Sequence, residues 1–107
     1  MAGNDLVRQS LIDQLAERGA DIEINRKLVE DYLFYCAEET KMQKDIKKNG
    51  YMIPAISANG KEYRRENPCV KMAVLYNKQK LAILGRLDIS PSTIVAPQEE
   101  ENRDDDL

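Results

Sequence analysis

The chain contains no histidine and no tryptophan. Without histidine the commonest acid–base group and metal ligand is gone. Two cysteines, Cys36 and Cys69, do not form a CxxC pair, so a structural zinc site is not expected. Nor are they expected to pair with each other. Cys36 lies about 13 residues, roughly 20 Å of helix, from the end near which Cys69 sits. No glycine-rich phosphate loop is present, and Glu38-Glu39 are adjacent residues that do not share a helix face. These absences argue against intrinsic enzymatic activity, and no cofactor or metal is expected. No apolar run approaches the ~20 residues needed to span a bilayer. The first residues lack the charged-then-apolar layout of a secretion signal. A cytoplasmic protein without a membrane partner is the simplest expectation.

What is present is a 107-residue chain with 33% charged and 42% hydrophobic residues, enough for one soluble domain with a modest aliphatic core. The net charge of −3 hides strong segregation. Residues 1–40 carry −5, residues 41–80 carry +7, residues 81–97 are neutral and residues 98–107 carry −5. The middle is a candidate anion-facing surface, made mainly of Lys44, Lys47, Lys48, Lys61, Arg64 and Arg65. Lysines in the last turns of a helix also complement its dipole, so a purely structural role stands beside the functional one.

Asn4 or Asp5 can cap a first helix over 5–18, with Leu6, Val7, Leu11, Ile12 and Leu15 on one side and Gly19 as its stop. Its cations Arg8 and Arg18 sit among four acids, so packing outweighs contact with an anionic partner for this helix. Asn25 is the expected N-cap of a second helix that ends at Gly50. Leu28, Val29, Tyr32, Leu33, Tyr35 and Cys36 cover a wide face of its first half, and the second half is more polar. Short strands over 51–58 and 61–65 flank Asn59-Gly60, which suits a two-residue type I′ turn. Pro54 marks an edge or partly paired strand. A lone hairpin is marginal in water and needs backing from a helix or a neighbouring subunit.

Asn67-Pro68 starts a third helix that ends near Leu84 or Leu87, with Leu84-Gly85 as a possible stop. Val70, Ala73, Val74, Leu81 and Leu84 form its expected stripe, interrupted by Asn77, which either sets register on a helix seam or reaches its edge. Ser90-Pro91 starts a short last helix. The fold class is therefore mainly α: an antiparallel pair of long helices joined by a β-hairpin, plus an N-terminal and a short C-terminal helix. Residues 1–97 are expected to form one domain and residues 98–107 an acidic tail without a fold. The wide apolar face predicts a homo-oligomer whose interface includes Leu28, Tyr32, Leu33, Tyr35, Val70, Val74 and Leu81.

The punctuation from Gly50-Tyr51-Met52-Ile53 through Asn59-Gly60, Asn67-Pro68-Cys69-Val70, Leu84-Gly85-Arg86-Leu87 and Ser90-Pro91-Ser92 resembles one family of phage terminase small subunits. Upstream, Asn25, Leu28, Tyr32 and Cys36 resemble that family's capped helix, so the likeness runs over about 25–95. Residues 1–24 have room for one helix, where many small terminase subunits carry a helix-turn-helix. The resemblance implies a non-catalytic, ring-forming adaptor in the host cytoplasm. Such an adaptor binds double-stranded viral DNA and hands it to a large subunit that carries the ATPase and nuclease. The alternative from a different class is a small helical interaction or regulatory module that dimerises through its long helices.

Overall fold

The computed structural model describes residues 2–94. In chain order it contains α1 (Ala2–Glu17), α2 (Glu23–Asn49), β1 (Met52–Ile56), β2 (Glu62–Glu66), α3 (Pro68–Leu87) and a 3₁₀ turn (Pro91–Thr93). The mainly helical architecture with one hairpin between two long helices is as expected. The acidic tail expected over 98–107 lies outside the described residues. The chain divides into two compact units, one from residues before Phe34 and after Lys80, the other Phe34–Lys80.

The first unit holds the apolar core. On α1, Val7, Leu11 and Leu15 are buried at intervals of four residues, the spacing that keeps side chains on one helix face. They are joined in the core by Val29, Tyr32 and Leu33 of α2, Ile83, Leu84 and Leu87 of α3, and Ile89 beyond it. Each such side chain contributes about 1.5–3 kcal/mol when fully removed from water. Leu6, expected with this stripe, is exposed, because it sits one residue off the row that faces the core. The charged groups of the unit are bound internally. Arg8 makes a two-pronged pair with Glu30 at 2.8 and 3.1 Å, and Arg18 donates to the carbonyl of Leu87. The Arg8 hydrogen bond holds the Glu30 carboxyl below its ordinary range. Gln14 donates to the Thr93 hydroxyl at 3.0 Å and ties the 3₁₀ turn to α1.

Two helix ends in this unit are built alike. Gly19 has φ +70°, the Ala20 N–H reaches the Leu15 carbonyl at 2.7 Å and the Gly19 N–H reaches Ala16 at 3.1 Å. That is a Schellman ending. α3 repeats it, with Ile89 N–H on Leu84 at 3.0 Å and Asp88 N–H on Gly85 at 3.2 Å. The residue in the left-handed position there is Asp88, φ 59°. Gly85, the expected stop, remains inside the helix, because the motif places its left-handed residue three positions further on. Ile89 and Leu84, the two positions that this motif joins by an apolar contact, are both buried.

α1 and α2 begin differently from what local signals suggest. α1 starts at Ala2, ahead of the Asn4 and Asp5 caps expected for it. α2 starts at Glu23, since the Arg26 N–H already bonds the Ile22 carbonyl at 2.9 Å. Asn25 therefore lies within the first turn, and its side chain donates back to the Ala20 carbonyl at 2.8 Å instead of capping.

The second unit is organised by Asn67, which is 2% exposed. Its side-chain oxygen accepts the Cys69 N–H at 3.0 Å, the N-cap bond of α3. Its amide nitrogen donates to the Asp45 carboxylate at 2.9 Å and to the Gly50 carbonyl at 3.0 Å. Its backbone N–H bonds the Tyr51 carbonyl at 2.7 Å. One residue thus starts α3, ties it to the end of α2 and closes the base of the hairpin. Further along, the Tyr76 ring lies 5.8 Å from the Tyr35 ring, and Lys80 bonds Glu39 at 2.7 Å. The start of α3 meets the end of α2 through Asn67 and Asp45, and Tyr76, further along α3, meets the earlier Tyr35, so within this unit the helices run antiparallel.

These contacts also set the rotation of α3. Met72, Ala73, Tyr76 and Lys80 are partly covered, whereas Val74 is 54% and Leu81 49% exposed. The expected stripe placed Val74 and Leu81 inside. Apolar residues surround this helix, so pattern alone does not select a face, and the Tyr35 and Glu39 partners do.

β1 and β2 pair antiparallel from Met52↔Glu66 to Ile56↔Glu62. The turn between them is not type I′. That turn needs positive φ at both central residues, and among described non-glycine residues only Asp88 has it. Instead the Gly60 N–H closes on the Ser57 carbonyl at 2.9 Å, with Gly60 at φ +84° and Ser57 N–H bonded to Lys61 at 2.8 Å. This is a type I turn followed by a left-handed glycine, a three-residue loop that tolerates an ordinary φ at Asn59. Ser90 precedes the 3₁₀ turn in extended conformation but makes no side-chain cap bond; its hydroxyl meets Ser92 at 3.0 Å.

Two outcomes test this description. Asn67→Ala should cost about 1–2 kcal/mol through loss of the α3 cap, more where Asp45 and Gly50 are left without a donor. Asn67, then Asn49, holds the Asp45 carboxyl below its ordinary range. That stabilisation is complete above the unfolded carboxyl pKa and lost as pH falls through the lower folded value. Acid unfolding of Asn67→Ala should therefore show a shallower loss of stability than the native chain; parallel acid profiles would mean that Asn67 does not sustain the Asp45 charge. The second outcome concerns Asp88. Asp88→Gly should raise stability by about 0.5–1 kcal/mol and Asp88→Val lower it, because only glycine is free at positive φ. Equal melting temperatures for the three proteins would show that position 88 carries no such strain.

Candidate nucleic-acid interface

The basic middle of the sequence falls within the second unit. α2 places Lys44, Lys47 and Lys48 on its last turns, all exposed. At about 100° per residue the three fall within one ~100° arc of the helix. Asp45 projects from a different side and is engaged by Asn67. Among the described residues no carboxylate lies in ion-pair contact with any of these three lysines. Three other lysines of the region are ion-paired: Lys41 bonds Glu38 at 3.1 Å, Lys80 bonds Glu39 at 2.7 Å, and Lys71 lies 3.8 Å from Glu66; Lys78, on α3, is exposed. Glu38 and Glu39 are thereby also occupied.

The hairpin divides its cations. Residues directly opposite in an antiparallel pair share a face, and successive residues alternate. Arg64 therefore shares a face with Met52, Pro54, Ile56, Glu62 and Glu66. Its guanidinium donates to the Met52 carbonyl at 2.7 Å. Arg65 lies on the other face with Ile53, Ala55 and Tyr63. Lys61, beside the turn, is exposed. The six cations expected to act together thus separate into a tight α2 set, two arginines on opposite strand faces, and one lysine at the hairpin tip.

Next to the α2 lysines is a groove of ≈ 550 Å³ lined by Gln43, Ile46, Lys47, Gly50 and Tyr51. Sequence reasoning passed over it, although Gln43, Ile46, Lys47 and Gly50 are spaced 3, 4 and 7 apart, the signature of one helix face. Gly50 ends the helix at φ +90° and turns Tyr51 back beside it.

The residues expected at an oligomer interface differ in exposure. Tyr32 and Leu33 are taken up by the first unit's own core. Leu28, Tyr35 and Val70 are half-buried, and Val74 and Leu81 are exposed on the outward side of α3.

Cys36 and Cys69 are half-buried and are not in a disulfide. Burial first, and Asp45 second, pushes the Cys69 thiol up, which favours the protonated, unreactive form. Among the described residues no group of three or more His, Cys, Asp or Glu side chains is placed to hold a metal, and no helix is long and apolar enough to cross a membrane.

The family model described as phage terminase, small subunit, matches residues 7–104. That span starts at Val7, a buried residue of α1, and includes both long helices, the hairpin and the lysines of α2. No curated protein and no solved structure matches the chain. With a match over nearly its whole length, the chain belongs to the family of phage terminase small subunits.

Proposed function

We propose that the chain is the DNA-binding, non-catalytic adaptor of a phage packaging terminase. It assembles as a homo-oligomeric ring in the host cytoplasm, contacts double-stranded viral DNA and delivers it to the large ATPase/nuclease subunit. The observation that carries the DNA reading is the set Lys44, Lys47 and Lys48, exposed on one arc of α2 without an ion-pair partner among the described residues. Lys61, Arg64 and Arg65 extend it along the hairpin. Contacts of this kind address phosphates and carry no sequence information of their own. A ring repeats them, so weak contacts per subunit add to useful avidity.

Support for self-assembly comes from the outward side of α3. Val74 and Leu81 are seven residues apart on one face and half exposed, on a chain whose hairpin has no third strand among the described residues. Head-to-tail contacts through such a face close into rings. The same face would serve a dimerising interaction module, so solution mass separates the two readings.

Light scattering at micromolar concentration should give the mass of a closed multimer well above a dimer; a monomer would exclude the ring, and a dimer would favour the interaction module. Duplex-DNA titrations at several salt concentrations should show affinity falling with salt. Replacing Lys44, Lys47 and Lys48 by Gln should reduce the log–log slope by about 0.9 for each phosphate that is no longer neutralised. An unchanged slope would remove these lysines from the DNA surface.

A further inference from the structure

We propose that the lysines and groove on the last two turns of α2 form a docking site for an acidic peptide, and that residues 98–107 of this chain are its occupant. The inference rests on the phosphate-binding reading of the same lysines and adds a competitor for them.

The site combines two kinds of surface. Ile46 and Tyr51 give the groove an apolar lining, with Lys47 in its wall. At about 100° per residue, Lys44 lies about 60° and Lys48 about 100° round the helix from Lys47, on the side away from the groove. Of the carboxylates nearest in sequence, Glu38 is paired with Lys41 and Glu39 with Lys80, while Asp45 is hydrogen-bonded by Asn67 and keeps a charge that also acts on Lys48. One cation therefore sits in the wall of the groove, and the other two continue round the helix from it, exposed. The helix C-terminus contributes only about half a negative charge against them.

The complement is in the same sequence. Residues 98–107 read Gln-Glu-Glu-Glu-Asn-Arg-Asp-Asp-Asp-Leu, six acids against one arginine, with an apolar residue last. No other stretch of this length is as acidic. Thirteen residues follow Ile94, an extended reach of about 43 Å. An acidic peptide and a DNA backbone need the same three ammonium groups, so occupation by one excludes the other. A tethered competitor acts at an effective concentration of order millimolar. Even a weak tail contact then lowers DNA affinity several-fold at low salt, and less as salt screens both interactions.

The test uses the full-length chain. In one variant Glu99, Glu100 and Glu101 become Gln, and Asp104, Asp105 and Asp106 become Asn. This neutral-tail protein should bind a short duplex several-fold more tightly than the native chain at low salt. A fluorescently labelled peptide of residues 98–107 should bind the neutral-tail protein by anisotropy. It should fail to bind once Lys44, Lys47 and Lys48 are also changed to Gln. The tail charges also alter the protein's overall field, so the native-to-neutral difference is measured again in the triple-lysine background. There it should shrink to less than about two-fold. A gap of undiminished size there, or no peptide binding, overturns the docking site while leaving DNA binding intact. Peptide capture by the lysines with no DNA binding by either form sustains the docking site and overturns the phosphate reading alone.

Discussion

The arrangement of the second unit depends on the hydrogen bonds of one buried amide. Asn67 has few alternatives to the partners it has found, because an unpaired polar group at its depth costs about 1–3 kcal/mol. Its oxygen starts α3, its nitrogen holds Asp45 and the Gly50 carbonyl just past α2, and its backbone closes the hairpin on Tyr51. An asparagine is the side chain that carries acceptor and paired donors on one short stem. Aspartate would keep the cap and set a second carboxylate against Asp45.

A consequence of that junction is the separation of charge on α2. Asp45 is drawn toward Asn67, so the remaining exposed charge of the last turns is positive. The lysines then serve two purposes without conflict: they complement the helix dipole and they present an anion-facing surface. In the first unit polar groups are used in the opposite sense. Arg8, Arg18 and Gln14 are spent on internal contacts that hold α1 and the 3₁₀ turn to their neighbours. That leaves the α2 lysines as the more available cations for a phosphate backbone.

Membership of the terminase small subunit family was legible in the ordered punctuation of the sequence rather than in any catalytic motif. Gly50, Asn59-Gly60, Asn67-Pro68 and Ser90-Pro91 each stand at a real boundary of an element or turn. Where local signals misled, a neighbour had intervened. Asn25 is drawn into the first turn of α2 by the carbonyl of Ala20. Asn59 keeps an ordinary φ because Gly60 alone carries the left-handed conformation. Asp88 takes a position usually given to glycine because the Ile89 N–H bonds back to the Leu84 carbonyl.

The sequence by itself determined the order of elements, the stops at Gly19 and Gly50, the cap at Asn67, and the segregation of acidic and basic stretches. All of these follow from backbone preferences and composition acting over a few residues. Only the tertiary structure decided which cations are left without an ion-pair partner among the described residues, since Lys41, Lys71 and Lys80 look the same in sequence as Lys44, Lys47 and Lys48. It also decided that α3 turns Tyr76 and Lys80 inward and Val74 and Leu81 outward. The physical reason is common to both. Pairing and rotation depend on through-space distances between residues far apart in the chain, 22 positions for Asn67 and Asp45 and 41 for Lys80 and Glu39, and no local preference encodes such distances.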